Sequence, residues 1–415
     1  MRFFYNFFII LLRVGMGVGT LFNYKLKKGL AGRRQSLSRV RSVFEPTDEV
    51  LWMHAASLGE YEQGLPVLTE LKKQYPHYKV LVTFFSPSGY DHVIKKHDEI
   101  IDCICYLPLD RRECITEFCN AFTPRLFFTV KYDFWYTLLG VLKSKGCKNF
   151  VISALFYESQ IFFKPYGKWF VKRLQQNIDW IFHQTKHSTA LAKSIGLKNS
   201  STSGDTRFDR VKELKVRNNT VSYIDDFLND RPCIVFGSAW QAEERIAEMI
   251  ARKTEGFKII IAPHDMKRVE VLREVFPHAI YYTEIQPNEE QRLQTAEVLI
   301  IDCIGLLSKL YSYAHVAIVG GGFHSAGLHN ILEAAVFSKP VFFGNHYRKN
   351  PEADALIAAG GARSFEDEFY AAPFIIDLLN KPEKLHEMGR LAGEFIENQP
   401  KAKELILRKI VTDFS

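Results

Sequence analysis

The first 44 residues contain no aspartate or glutamate; the earliest acidic residue is Glu45. Arg2, Arg13, Lys25, Lys27, Lys28, Arg33, Arg34, Arg39 and Arg41 sit in that stretch, and removing these nine charges from the net +7 leaves a body of −2. A balance so close to neutral excludes a nucleic-acid groove running over the domains, so no nucleic acid is expected as a partner. Cys103, Cys105, Cys114, Cys119, Cys147, Cys233 and Cys303 form an odd set without C-x-x-C spacing, which argues for reduced thiols rather than a zinc site or a disulfide framework. No D-x-D signature follows a strand candidate, and no metal or cofactor is expected. Low-complexity tracts and short repeats are also missing, while 47% hydrophobic and 24% charged residues are ordinary for a folded protein.

An uninterrupted hydrophobic span is lacking as well. Phe3 to Phe22 is apolar but broken by Asn6, Arg13 and a few Gly and Thr positions. About 20 apolar residues cross a bilayer, and a central arginine costs roughly 2.5–3.5 kcal/mol. Spanning and lying in the interface both fit, with Lys25 to Arg41 attracted to anionic headgroups. No small-x-small cleavage site follows, so residues 1–24 read as a retained membrane anchor. The positive-inside bias places the body in the cytoplasm, on the inner (cytoplasmic) membrane.

Short Val-, Ile- and Phe-rich runs alternate with amphipathic stretches through the rest, the pattern of parallel sheets covered by helices. Strands are expected at Val50–His54, Lys79–Phe84, Ile101–Tyr106, Leu126–Val130, Phe150–Ala154 and Trp180–His183. A second set is expected at Cys233–Phe236, Lys258–Ala262, Val298–Ile301, Val316–Val319 and Pro340–Phe343. A chain of 415 residues calls for two cores. The expected fold is therefore α/β with two Rossmann-like domains facing a cleft, spanning 25–215 and 232–415, joined by a polar linker at 216–231. Ligands of such sheets bind at the carboxyl ends of the strands.

Two loops stand out. In His54-Ala-Ala-Ser-Leu-Gly-Glu60, Ser57 and Glu60 have capping-box spacing, yet a carboxylate at a strand-to-helix turn also suits deprotonation of a sugar hydroxyl. Gly320-Gly-Gly-Phe-His-Ser-Ala-Gly-Leu-His-Asn-Ile-Leu-Glu333 combines glycines that admit close approach of a phosphate with a helix start near His329 and Asn330, and Glu333 is placed to bind ribose. The segments around Ser238, Pro263-His264 and Ile304-Gly305-Leu306 also follow strands and would converge on one ligand, although Ser238 with Gln241 also matches a capping box.

His54–Glu60, Gly204-Asp-Thr-Arg-Phe-Asp209, Gly237-Ser238, Gly320-Gly-Gly, His329-Asn-Ile-Leu-Glu-Ala-Ala335 and Lys339-Pro-Val-Phe-Phe-Gly344 together resemble the 3-deoxy-D-manno-octulosonate (Kdo) transferases. The resemblance implies a GT-B glycosyltransferase that moves Kdo from CMP-Kdo to a lipid A precursor of lipopolysaccharide, with inversion and without metal. It implies Glu60 as general base and a transition-state role for Arg207. It implies CMP contacts at Ser238, Pro263, His264, Ile304, Gly305, Leu306, Gly321, Asn330, Ile331, Leu332 and Glu333. Where the family has Glu-x-Glu before Leu-Trp-Pro, this chain has Lys131-Tyr-Asp133-Phe-Trp135-Tyr, which puts catalytic parts on Lys131 and Asp133. Where the family has Pro-Arg-His, the chain has Pro263-His264-Asp265. Alternative readings are a lipid transferase using a UDP sugar and a nucleotide-sugar epimerase of the same fold.

Overall fold

The computed structural model describes residues 2–95, 99–253, 256–325, 327–348 and 350–414. They form two compact units, Met1–Asp209 with Pro400–Ser415, and Arg210–Gln399.

The first unit holds seven strands: β1 (Glu49–Ala55), β2 (Lys79–Phe84), β3 (Cys103–Tyr106), β4 (Thr123–Val130), β5 (Lys148–Ala154), β6 (Trp180–His183) and β7 (Ser200–Thr202). Their order is β3-β2-β1-β4-β5-β6-β7, and every pairing is parallel. Alternation along β1 explains the two cores. Val50 and Trp52 pack with Phe118, Phe122 and Phe127 on one face, while Leu51 and Met53 pack with Val67, Val80 and Phe128 on the other. The second unit repeats the plan with β8 (Cys233–Ala239), β9 (Lys258–Pro263), β10 (Ile280–Tyr281), β11 (Val298–Ile300), β12 (Val316–Val319), β13 (Val341–Gly344) and β14 (Ala362–Phe365). Here the order is β10-β11-β9-β8-β12-β13-β14, again parallel throughout. All eleven expected strands form; β7, β10 and β14 at or near the sheet edges are additional.

Two expected boundaries move. Residues 216–231 do not behave as a separate linker: Val221, Ile224 and Phe227 are buried, the last two in the helix Ile224–Leu228, and Lys258 Nζ lies 4.7 Å from the Phe227 ring centre. The division falls earlier, inside the helix Thr206–Val216. The last helix, Ala402–Phe414, belongs to the first unit because Ile406, Leu407 and Ile410 complete the core beside Val67, Leu68 and Leu71. Phe414 meets Tyr75 edge-on at 5.1 Å.

Among the described residues, no helix is long and apolar enough to cross a membrane. The first helix, Arg2–Gly19, instead docks one face. Ile9 and Met16 are buried, and Tyr5 Oη donates 2.5 Å to Asp110 Oδ2. The same carboxylate accepts the amides of Thr137 and Leu138 at 2.7 and 2.8 Å, satisfying the start of the helix Tyr136–Ser144. Phe7, Ile10, Leu11, Val14 and Val18 remain exposed on this helix. Asn23 then caps the helix Tyr24–Val43. Close approach requires glycine in that helix, since a Cβ at Gly32 would fall 2.3 Å from the Tyr106 ring.

Replacing Asp110 with alanine removes three hydrogen bonds and strands three donors in a buried setting. The expected loss is about 3 kcal/mol, against about 1 kcal/mol for Tyr5→Phe, which removes only one bond. Urea midpoints of the two variants check this ranking, and equal losses would contradict it.

Candidate active site

Parallel pairing puts the carboxyl ends of all strands of a unit on one edge, and the expected site residues collect there. In the first unit β1 runs into a turn at Ala56 and Ser57 before the helix Leu58–Gln74. Ser57 is the N-cap and its Oγ accepts from Glu60 N at 3.5 Å, while Glu60 Oε2 accepts from Ala56 N at 2.6 Å. The capping arrangement is therefore real, displaced by one residue from a standard box. It also fixes the carboxylate of Glu60. Burial first, and Asp133 second, raise this carboxyl above its ordinary range, against the pull of the Ala56 amide, Lys131 and His54. A carboxylate made more basic in this way is a better proton acceptor near neutral pH.

His54, the last residue but one of β1, is fully buried opposite Thr83 of β2 and Thr129 of β4. Its Nδ1 lies 3.0 Å from the Thr83 carbonyl oxygen and 2.9 Å from Thr83 Oγ1, and its Nε2 lies 2.7 Å from Asp133 Oδ2. Trp135 Nε1 donates to the same Asp133 oxygen at 3.1 Å. Lys131 leaves β4 with a φ of 63°, a left-handed conformation uncommon for a side chain of its size. The structure thus brings Glu60, Lys131 and Asp133 together and adds His54 and Trp135, for which the sequence analysis had no role.

Arg207 stands elsewhere on this edge, bound to Asp205. Its Nε and backbone amide donate to Asp205 Oδ2 and Oδ1 at 2.8 and 2.9 Å, and Gln63 Nε2 reaches Oδ1 at 2.9 Å. Burial works against the charge of Asp205, but Arg207 outweighs it and holds the carboxyl below its ordinary range. Gln63 lies one turn after Glu60, so this ion pair is tied to the helix carrying the candidate base. Asp205 lies inside the Gly204–Asp209 motif, which was the available signal for it.

The second unit gathers loops after β8, β9, β11 and β12. Ser238 has a φ of 52°, and a Cβ at Gly320 would sit 2.0 Å from its carbonyl oxygen. Glu243 joins two of the loops by accepting from Trp240 N at 2.9 Å and from Gly321 N at 3.1 Å. The reciprocal bond at this helix start is therefore made by Trp240 and Glu243 rather than by Ser238 and Gln241. Glu243 is fully buried, and desolvation raises its carboxyl to about 7. The Trp240 ring stacks on His264 at 4.3 Å and 15° and meets His324 at 4.2 Å, and His264 lies 4.6 Å from His329. Burial lowers all three histidines, His329 to about 4, so they are neutral at pH 7. His324 lies inside the Gly320–Glu333 loop and Trp240 two residues after Ser238, but the sequence analysis assigned neither a role, since their ring contacts join loops far apart in the chain.

The expected helix start near His329 and Asn330 needs correction. The helix after the glycines is the single turn Leu332–Ala335, so its dipole is that of one turn only. Asn330 Oδ1 accepts from Leu332 N at 3.2 Å and its Nδ2 donates to Glu333 Oε1 at 3.1 Å. Ile331 and Leu332 are buried in the core, as is Pro263 at the end of β9, which leaves backbone groups as their means of meeting a ligand. Ile304 is 83% exposed beside Gly305, whose φ is 101°, and Leu306 is half-buried. Gly321, with a φ of 90°, is held by Glu243. Among the described residues no group of three His, Cys, Asp or Glu side chains is placed to hold a metal ion.

Two parallel seven-stranded sheets with polar residues on their carboxyl edges define an architecture of the GT-B type, and similarity to transferases of known sequence makes the chain a glycosyltransferase. Its resemblance to one family holds on comparison: residues 30–210 match the family model described as 3-deoxy-D-manno-octulosonic-acid transferase (kdotransferase). The chain is similar to the 3-deoxy-D-manno-octulosonic acid transferase of Aquifex aeolicus, at 26% identity over 357 residues, covering 84% of this chain and 92% of that one. The enzyme of the same description from Haemophilus influenzae is 23% identical over 376 residues, covering 87% and 86%. Among solved structures, UDP-GlcNAc 2-epimerase from Neisseria meningitidis aligns with a TM-score of 0.61 at 18% identity, over 88% of this chain and 100% of that one. That likeness is one of fold.

The titration of Glu243 gives a pH test. Its folded value of about 7 stands above the ordinary 4.5, so the protonated carboxyl favours the fold. The contribution is present in full below pH 4.5 and is lost as pH rises through about 7. Glu243→Gln should remove part of the stability loss between pH 5 and 8. Parallel urea curves at both pH values, with an unchanged slope against pH, would contradict it.

Proposed function

We propose that the chain transfers Kdo from CMP-Kdo to a hydroxyl of a lipid A precursor, with inversion and without a metal ion. The observation that carries the reading is Glu60: a carboxyl made basic by burial, held by the Ala56 amide beside His54 and Asp133, within the span matched by the Kdo transferase family. In this mechanism Glu60 takes the proton of the acceptor hydroxyl as its oxygen attacks the anomeric carbon. The bond to the CMP phosphate oxygen breaks on the opposite face, and its electron pair leaves with CMP. One displacement gives inversion.

A monophosphate leaving group needs donors rather than a bridging cation. Support comes from the neutral His264 and His329, the Asn330 amide, and the backbone groups around Gly321 and Gly305. Glu333 suits the ribose hydroxyls. Arg207, held by Asp205, would be a fixed positive charge for the transition state, and Lys131 would offset charge near Glu60.

A lipid acceptor is met at the bilayer, and we place the enzyme on the cytoplasmic face of the inner membrane. The exposed apolar face of Arg2–Gly19 and the basic residues after it support an interfacial attachment. Not all seven of those basic residues are free for headgroups. Arg33 is buried over Phe85, Lys28 pairs with Asp91 at 2.7 Å, and Arg41 pairs with Glu117 at 3.0 Å.

Glu60→Gln should keep CMP-Kdo binding in calorimetry and lower turnover by about 10²–10⁴-fold, with EDTA leaving wild-type turnover unchanged. Near-normal turnover of the variant would remove Glu60 from the chemistry. Replacing Lys25, Lys27 and Arg34 with glutamine should weaken binding to anionic vesicles by roughly tenfold or more, with little change on neutral ones. Flotation at two salt concentrations measures both.

A further inference from the structure

A cavity of about 410 Å³ opens in the first unit beside the Asp133 carboxylate. Tyr5 and Ile9 of the first helix form one wall. Phe134, Trp135, Phe162 and Trp169 contribute to the others. The lining is aromatic and closely packed: Phe134 meets Phe162 edge-on at 5.5 Å, and Phe162 stacks on Phe170 at 5.9 Å. Asp133 is the one carboxylate among the lining residues, and it is already bound to His54 and Trp135.

Such a space takes an amphiphile. Its polar part must end at the Asp133 side, where the hydrogen-bonding groups and Glu60 lie, and the remainder must be a slender apolar chain. The volume is in the range of small-ligand pockets, roughly 300–1,000 Å³. Ile161, 50% exposed, lines the same cavity, and Ile10 and Leu11 are exposed on the helix that carries Ile9. An apolar path therefore adjoins the face assigned above to the bilayer. We infer that this cavity holds one acyl chain of the lipid acceptor and thereby positions the acceptor hydroxyl at Glu60. The inference rests on the transferase reading, which names the acceptor as a lipid.

Bromine on an acyl chain quenches tryptophan on contact, and two of the five tryptophans, Trp135 and Trp169, line the cavity. The full chain is titrated with N-(12-bromododecanoyl)glucosamine below its micelle concentration. Saturable quenching is expected, about halved in Trp169→Phe and shifted at least tenfold to higher concentration in Ile161→Asp. In transfer assays Ile161→Asp should raise KM for a fully acylated acceptor at least tenfold, with kcat and KM for an acceptor stripped of both its ester- and amide-linked chains unchanged.

Absence of saturable quenching, or quenching that Ile161→Asp leaves as it was, overturns the acyl site; Kdo transfer in the same preparation then leaves the transferase reading standing. Quenching without transfer to either acceptor supports an acyl site and overturns the reading it rests on. Quenching by dibrominated phosphatidylcholine vesicles that the acyl sugar does not compete away assigns the cavity to bilayer lipid and overturns the acceptor assignment.

Discussion

The contact between buried His54 and Asp133, 2.7 Å apart, ties the end of β1 to the turn after β4 and organises the first unit's edge. Nδ1 of His54 faces the Thr83 carbonyl, which only accepts, so that nitrogen carries hydrogen. Nε2 lies 2.7 Å from an Asp133 oxygen, and Trp135 Nε1 reaches both, at 3.3 and 3.1 Å, so the three side chains form one cluster. Glu60 beside this pair feels opposing influences from Asp133 and His54, and burial is left as its main perturbation. The arrangement exists because β1 and β4 are neighbours, with His54 in register with Thr129 just before the chain turns at Lys131.

The second unit uses a different economy. Its three clustered histidines are neutral, so they act as aromatic surfaces and hydrogen-bonding groups rather than as cations. The position of the glycine loop is set by a carboxylate, Glu243, spanning from Trp240 to Gly321. The glycines themselves answer two demands. Gly320 must clear Ser238, and Gly322 and Gly344 approach so closely that a Cβ on Gly344 would lie 2.2 Å from the Gly322 carbonyl carbon. Chain packing thus requires part of the Gly-Gly-Gly run independently of any phosphate.

This double use explains what the sequence could and could not convey. Buried parallel strands announce themselves as continuous apolar runs, and Val80–Val82 or Ile259–Ile261 needed nothing more. Ser200–Thr202 is polar and three residues long, and Ile280–Tyr281 has only two residues, too few for any period to show. The last helix has an ordinary amphipathic pattern, but no local signal tells which sheet its stripe will cover. At the site, Glu60 was legible from its turn, and Asp133 from its place in a family motif. The partnership of His54 with Asp133 was not, since 79 positions separate them and only the pairing of β1 with β4 brings them near.

The departure from the family pattern at Lys131–Tyr136 acquires a physical meaning from the first helix. Tyr136 replaces the proline of the Leu-Trp-Pro pattern, and its ring lies 4.9 Å from Tyr5 and 5.5 Å from Trp169. Arg173 sits over the same ring at 4.9 Å. Next to it, Thr137 offers the amide that binds Asp110, to which Tyr5 is also bonded. The segment that contributes Asp133 to the candidate site is therefore the one on which the N-terminal helix is seated. A helix whose buried face is committed in this way has only its other face left for the interfacial attachment proposed above. The same seating makes Tyr5 and Ile9 a wall of the cavity proposed above for the acceptor.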